Sequence, residues 1–291
     1  MGISYVLESN TSRVILRRTR VMSVVHHIAS GRAELAVEVV GSGAPVVLLH
    51  AGVCDRRMYR MQWDGLSAHN KLIAYDRRGF GGTLAKQEDY SSVEDLKTVM
   101  DAEADGTPAV LVGCSQGGGV ALDMALRHPS YVRALILVAP NVRGAPGPRH
   151  APVIEVLVAQ RELARKAGDM ERVNALQARI LLDGPLQSEG RVRGVVRDLF
   201  LDMNGIALRR APIGTNLDGE DTFHRLGEIE MSSFVLWGEY DFPHIQERSR
   251  HLAAVMPNAA GHTLAGAAHL PSMEQPEETT RLFAQFIAGL R

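Results

Sequence analysis

The chain has 291 residues, 45% of them hydrophobic and 22% charged, with a formal net charge of −1. This is enough apolar material for one large domain with an insertion, and near-neutral charge argues against a nucleic-acid partner, which would want a clustered basic face. No uninterrupted apolar run approaches the ~20 residues that span a bilayer. Two cysteines make no disulfide framework, so a reducing cytoplasm is the expected location.

Residues 1–21 differ in composition from the rest of the chain. Arg13, Arg17, Arg18 and Arg20 against the single acid Glu8, with serine and threonine among them, have the character of a weak targeting segment or a translated upstream extension. Met22 would make a natural start, and this segment is expected to be poorly ordered and to add nothing to catalysis.

From Val24 the pattern alternates. Val24 to Ala29 and Ala33 to Val40 predict a hairpin turning at Ser30-Gly31-Arg32, and further strands are expected at Pro45 to Leu49, Leu72 to Tyr75, Ala109 to Val112, Ala134 to Val138 and Ser233 to Gly238. Ser91 to Ala104 reads as a helix, with Ser91 and Glu94 as a capping box and Val93, Leu96, Val99 and Met100 on one face. Pro276 opens a last helix in which Leu282, Phe283, Phe286 and Ile287 share a face. Strands alternating with helices imply a mostly parallel sheet covered on both sides. Between Asn141 and about Ile229 the alternation stops: helix-like segments at 152–167, 170–182 and 190–203 succeed one another with no strand. Such an insertion reads as a lid, its apolar members (Val156, Leu157, Leu181, Leu182, Val195, Leu199, Phe200) packing the lid or lining a pocket.

Gly113-Cys114-Ser115-Gln116-Gly117 lies between the run Ala109 to Val112 and a helix-like stretch from Gly118 to His128. It has the form of the G-x-S-x-G nucleophile elbow, in which a tight strand-to-helix bend tolerates only small flanking residues and lifts the serine above the sheet. The helix after the bend points free amides and its positive dipole end at the place where negative charge would develop. Ser115 is therefore a candidate nucleophile.

A serine needs a base, and the base needs an acid to orient it. Glu239 and Asp241 both come just after the strand Ser233 to Gly238, where ligand-facing loops of a parallel sheet emerge, and spacing does not separate them. Among eleven histidines, most fall in polar or helical surroundings; His128 suits the end of the elbow helix. His262 and His269 remain, and the small-residue loop Ala265-Gly266-Ala267-Ala268-His269-Leu270-Pro271 favours His269. A second oxyanion amide should come from the loop after an early central strand. Gly52, acting with the amide of Gln116, is the candidate, with Val53 its neighbour; His50 is expected to anchor the turn. Cys54 and Cys114 both fall beside this site and are expected to be buried, reduced thiols.

Five stretches carry a family resemblance: Leu48 to Gly52, Tyr75 to Gly81, the elbow, Leu236 to Asp241, and Gly266 to Pro271. In order and at the usual separations, they resemble the alpha/beta-hydrolase superfamily, specifically its cap-bearing bacterial esterases and lactonases. The resemblance implies an alpha/beta-hydrolase fold, with a core over 22–140 and 230–291 and a helical cap over 141–229 inserted after the sixth strand. It places Asp241, not Glu239, in the acid position and His269, not His262, in the base position. Ala51, where a glycine is commoner, and Cys114, directly before the serine, are departures that remove no reacting group.

The expected reaction is hydrolysis of an ester or lactone through an acyl-enzyme on Ser115, with no metal or organic cofactor. Carbon–carbon cleavage beside a ketone and perhydrolysis use the same triad in relatives, and a ligand sensor could keep the fold without turnover.

Overall fold

The computed structural model describes residues 2–6, 17–21, 23–219 and 221–290. Within the segment expected to be poorly ordered, Gly2–Val6 (β1) and Arg17–Val21 (β2) pair antiparallel; Met1, residues 7–16 and Met22 lie outside the described residues.

The main sheet begins with the hairpin Val25–Ser30 (β3) and Ala33–Val40 (β4), followed by Ala44–Leu49 (β5), the short helix Trp63–Leu66 (α1), Asn70–Tyr75 (β6) and the two-residue Leu84–Ala85 (β7). Ser92–Glu103 (α2), Ala109–Cys114 (β8), Gln116–Arg127 (α3) and Val132–Val138 (β9) continue the alternation. Pro152–Lys166 (α4), Met170–Gln177 (α5) and Val195–Leu208 (α6) form the helical insertion, after which Ser233–Gly238 (β10), Pro243–Val255 (α7), Ala259–Leu264 (β11), Pro271–Glu274 (α8) and Pro276–Gly289 (α9) complete the chain.

The strands lie in the order β11-β10-β9-β8-β5-β6-β4-β3, with β7 on β4. Along this order from β11 to β6 all neighbours are parallel; among the described residues of this sheet, the antiparallel pairs are those made by β4. Parallel strands need helical crossovers, and those helices cover both faces. This explains why β5 is apolar throughout: Val47 and Leu49 pack into one core with α2 and α3, and Val46 and Leu48 into the other with α1 and α9. Each such side chain contributes about 1.5–3 kcal/mol relative to an exposed one. The expected face of α9 is present, with Phe283 fully buried and Phe286 and Ile287 packed on the second core.

The capping box at α2 is half formed. Ser91 accepts from the Glu94 amide at 3.1 Å, but the Glu94 carboxylate turns to Arg127 and His128. Charge-assisted partners outcompete a single backbone amide.

The insertion comes after β9, the sixth strand when two-residue β7 and the N-terminal pair are set aside. Its first two helices lie close to their expected spans, α5 running into a π turn at 178–182. The third is displaced: it begins at Val195 and not at residue 190, because Gly194 at its N-cap has φ +64°. One bridge, Tyr90 to Asn216, joins the insertion to the loop before α2 where no pairing was expected. Leu182 and Phe200 pack into the core, whereas Val156 and Val195 face solvent.

Candidate active site

Because the central strands are parallel, β5, β8, β10 and β11 all release their loops at one edge of the sheet. Gly52, Ser115, Asp241 and His269 sit in those loops.

Ser115 joins β8 to α3 with φ +52° and ψ −115°, a conformation that costs a non-glycine residue on the order of 1–3 kcal/mol. Three backbone hydrogen bonds hold it: its amide donates to Val138 O at 2.9 Å, and its carbonyl accepts from Asn141 at 2.9 Å and Gly119 at 3.1 Å. The flanking glycines are required by close approach, not by φ. A Cβ at Gly113 would stand 2.5 Å from Gly117 O, and one at Gly117 would stand 2.2 Å from Leu49 O. Gly117→Ala must therefore push α3 off β5. We expect it to lower unfolding stability by at least about 1–3 kcal/mol in urea titration, with activity lost in proportion to the serine's displacement.

Asp241 lies just past β10 and is 2% exposed. Its Oδ2 meets His269 Nδ1 at 2.8 Å, while Oδ1 accepts the Phe242 amide at 2.7 Å. A proton on Nδ1, donated to Asp241, leaves Nε2 as the basic nitrogen. Burial alone would lower the His269 pKa, but the charge and hydrogen bond of Asp241, with the charge of Glu274, outweigh it and raise it above the ordinary value of 6.5. Glu239 does different work: its carboxylate accepts the Gly266 amide at 2.9 Å and ties down the histidine loop. His262 sits on β11 beside Phe234, at 6.3 Å between ring centroids, and faces solvent.

Ser115 and His269 line one cavity of about 460 Å³, together with Asn141, Leu181, Phe242 and His244. Gly52 and Gln116 line a second, larger one of about 810 Å³, and Asn141 belongs to both. The amide of Gln116 heads α3, where helix geometry provides no acceptor. Gly52 and Val53 form the centre of a turn closed by Cys54 N donating to Ala51 O at 3.1 Å; of the two, Gly52 faces the cavity with Gln116 and Val53 does not line it. His50 anchors this turn: Nδ1 meets Ala51 O at 2.7 Å and Nε2 accepts the Arg77 amide at 3.0 Å. That pair of bonds selects the neutral Nδ1–H tautomer, and burial together with Arg77 pushes its pKa well down. Cys54 and Cys114 are both free and buried. Burial pushes both thiols up, so neither offers a thiolate.

Sequence reading missed Glu274. It stands in α8 and accepts the amides of Ala268 at 2.7 Å and Leu270 at 2.9 Å, the residues on either side of His269. Arg191 of the insertion pairs with it and also donates to Gly266 O and Leu182 O, both at 2.8 Å. The His269 amide itself donates to Leu181 O at 3.1 Å, so the insertion and the histidine loop are one unit. Burial pushes Glu274 up to about 7 against the pull of those amides and Arg191. Nothing in Leu270-Pro271-Ser272-Met273-Glu274 signals this; it depends on a helical turn folding back under the loop. For Glu274→Gln we expect kcat lower by about tenfold to a hundredfold with KM little changed. The acid limb of the pH–rate profile should move down, because a charge that raises His269 is gone.

A strained serine at a strand-to-helix turn, sharing one cavity with a histidine bonded to a buried carboxylate, on this sheet order, has the form of a hydrolase of the alpha/beta type. The chain belongs to the alpha/beta hydrolase family, whose family model matches residues 46–282. It is 28% identical over 262 residues to a 2-hydroxy-6-oxo-6-phenylhexa-2,4-dienoate hydrolase of Burkholderia cepacia, covering 86% of this chain and 89% of that one. It is likewise 28% identical over 269 residues to a pimeloyl-[acyl-carrier protein] methyl ester esterase of Chromobacterium violaceum, covering 87% and 98%. Among solved structures, a thermophilic esterase from Thermogutta terrifontis superposes with a TM-score of 0.72 at 25% identity, covering 92% of this chain and 99% of that one. Among the described residues no helix is long and apolar enough to cross a membrane.

Proposed function

We propose that the protein is a serine hydrolase that cleaves a carboxylic ester or lactone through an acyl-enzyme on Ser115. The observation that carries this reading is the shared cavity of Ser115 and His269, with His269 bonded through Nδ1 to buried Asp241. His269 Nε2 takes the hydroxyl proton as Ser115 attacks the carbonyl carbon, then returns it to the leaving alkoxide. Asp241 holds the tautomer and stabilises the imidazolium. The amides of Gly52 and Gln116 receive the oxyanion; losing one such donor costs about 10²–10³ in turnover. Water, activated by the same Nε2, releases the acid.

The test is turnover of p-nitrophenyl acetate together with labelling of Ser115 by a fluorophosphonate. Absence of both would sink the reading. A protonated imidazole cannot accept the serine proton, so kcat/KM should fall as pH drops through the His269 pKa, with the acid limb above 6.5.

Relatives that by name cleave a dienoate and a methyl ester stand at equal identity. Carbon–carbon cleavage beside a ketone is therefore the second reading, and assaying vinylogous diketo acids beside esters separates the two.

A further inference from the structure

The larger cavity carries a chemistry that ester cleavage alone does not need. Its wall includes Arg77, Arg78, Arg143, Arg165 and Arg210 and, among the described residues, no aspartate or glutamate. Three of these cations are answered by carboxylates outside the wall: Arg78 by Asp95 and Glu88, Arg143 by Asp123 and Asp218, and Arg165 more loosely by Glu162 at 3.9 Å. Arg77 and Arg210 pair with no carboxylate among the described residues.

Arg77 decides the matter. It is 7% exposed, yet its acceptors are neutral: Nη2 donates to His50 O at 2.9 Å and Nη1 to Gln116 Oε1 at 3.3 Å. The guanidinium carbon lies 4.9 Å from the centroid of the Phe80 ring, and Nε is buried with no hydrogen-bond partner among the described residues. A guanidinium held out of water without a counter-ion is costly, and the cost is recovered when an anion with matching geometry joins it. The space open to that anion is the cavity Arg77 lines. Arg210, exposed and bonded to Gly81 O, brings a second unanswered cation to the same cavity from the segment after α6.

The position of this charge relative to the reaction assigns the part of the substrate that meets it. The leaving alkoxide collects its proton from His269, so the alcohol side of the scissile bond belongs in the cavity that His269 lines. The acyl side then extends past Gln116 and Gly52 into the arginine-lined cavity. Gln116 joins the two functions, since its amide heads α3 and its side chain accepts from Arg77.

We propose that the acyl chain of the substrate ends in a carboxylate bound by Arg77 and Arg210, so that the enzyme cleaves half-esters of dicarboxylic acids. The balanced reaction is half-ester plus water to dicarboxylate plus alcohol. This substrate class rests on the serine-hydrolase reading above; the anion site itself does not.

The experiment separates the two. Binding of monomethyl glutarate and of methyl pentanoate, ligands of similar length differing in one carboxylate, is measured by calorimetry on the Ser115→Ala protein, where no turnover intervenes. The expected result is at least about tenfold tighter binding of the anionic ester, the order of one desolvated charge pair. That preference should be lost when Arg77→Met is added, reduced by Arg210→Gln, and partly kept by Arg77→Lys. Arg210 is exposed, so its variant reports even where Arg77→Met fails to fold. Equal binding of the two esters, or a preference that neither Arg77→Met nor Arg210→Gln changes, overturns the site. Anion-selective binding in a protein whose wild type hydrolyses no ester would sink the esterase reading and leave the anion site standing.

Discussion

Ser115→Ala should reduce kcat on p-nitrophenyl acetate by on the order of 10⁴–10⁶ and abolish fluorophosphonate labelling, with circular dichroism unchanged. The size of the effect reflects the group removed. Without the hydroxyl there is no covalent intermediate, and the remaining machinery can at most polarise a carbonyl towards water. The fold should tolerate the change, since the side chain caps no helix amide and the strained φ of +52° is held by backbone bonds to Val138, Asn141 and Gly119. Full residual turnover in the variant would place the nucleophile elsewhere.

Asp241→Asn should lower kcat by about 10⁴ while leaving stability and KM much less affected. The geometry gives the reason. The Phe242 amide donates to one carboxylate oxygen of Asp241, so an asparagine would keep its carbonyl there and turn its NH₂ towards His269 Nδ1. Nδ1 would then have to accept, the ring proton would move to Nε2, and the nitrogen facing the serine would carry a proton where a lone pair is needed. Loss of the carboxylate charge also removes the main influence raising the His269 pKa, so the remaining activity should show an acid limb at lower pH. Glu239→Gln is the control. Its carboxylate bonds the Gly266 amide and not the imidazole, so its effect should be far smaller. A larger loss at Glu239 than at Asp241 would overturn the assignment of the acid.

Much of the architecture was legible because it rests on local physics. Buried parallel strands write themselves as continuous apolar runs, helices as faces of spacing three and four, and a sharp strand-to-helix bend as a pair of glycines about one residue. The choice between Glu239 and Asp241 was not legible from spacing, since the two differ by two positions; the family resemblance favoured Asp241, and the fold is what brings its carboxylate to His269. The start of α6 was misplaced for a similar reason, since the same apolar residues fit a helix from 190 or from 195 until Gly194 turns the chain.

Residue order and type were enough to establish the alternating sheet, the elbow at Ser115, the helical insertion and a short list of acids, bases and amides, because each depends on neighbours along the chain. The clamp of Glu274 and Arg191 around the histidine loop, and the charge of Arg77 beside Gln116, which no carboxylate among the described residues answers, depend on residues far apart in sequence meeting in a buried, low-dielectric space. There a carboxylate or guanidinium takes its meaning from which partners the fold supplies and which it withholds.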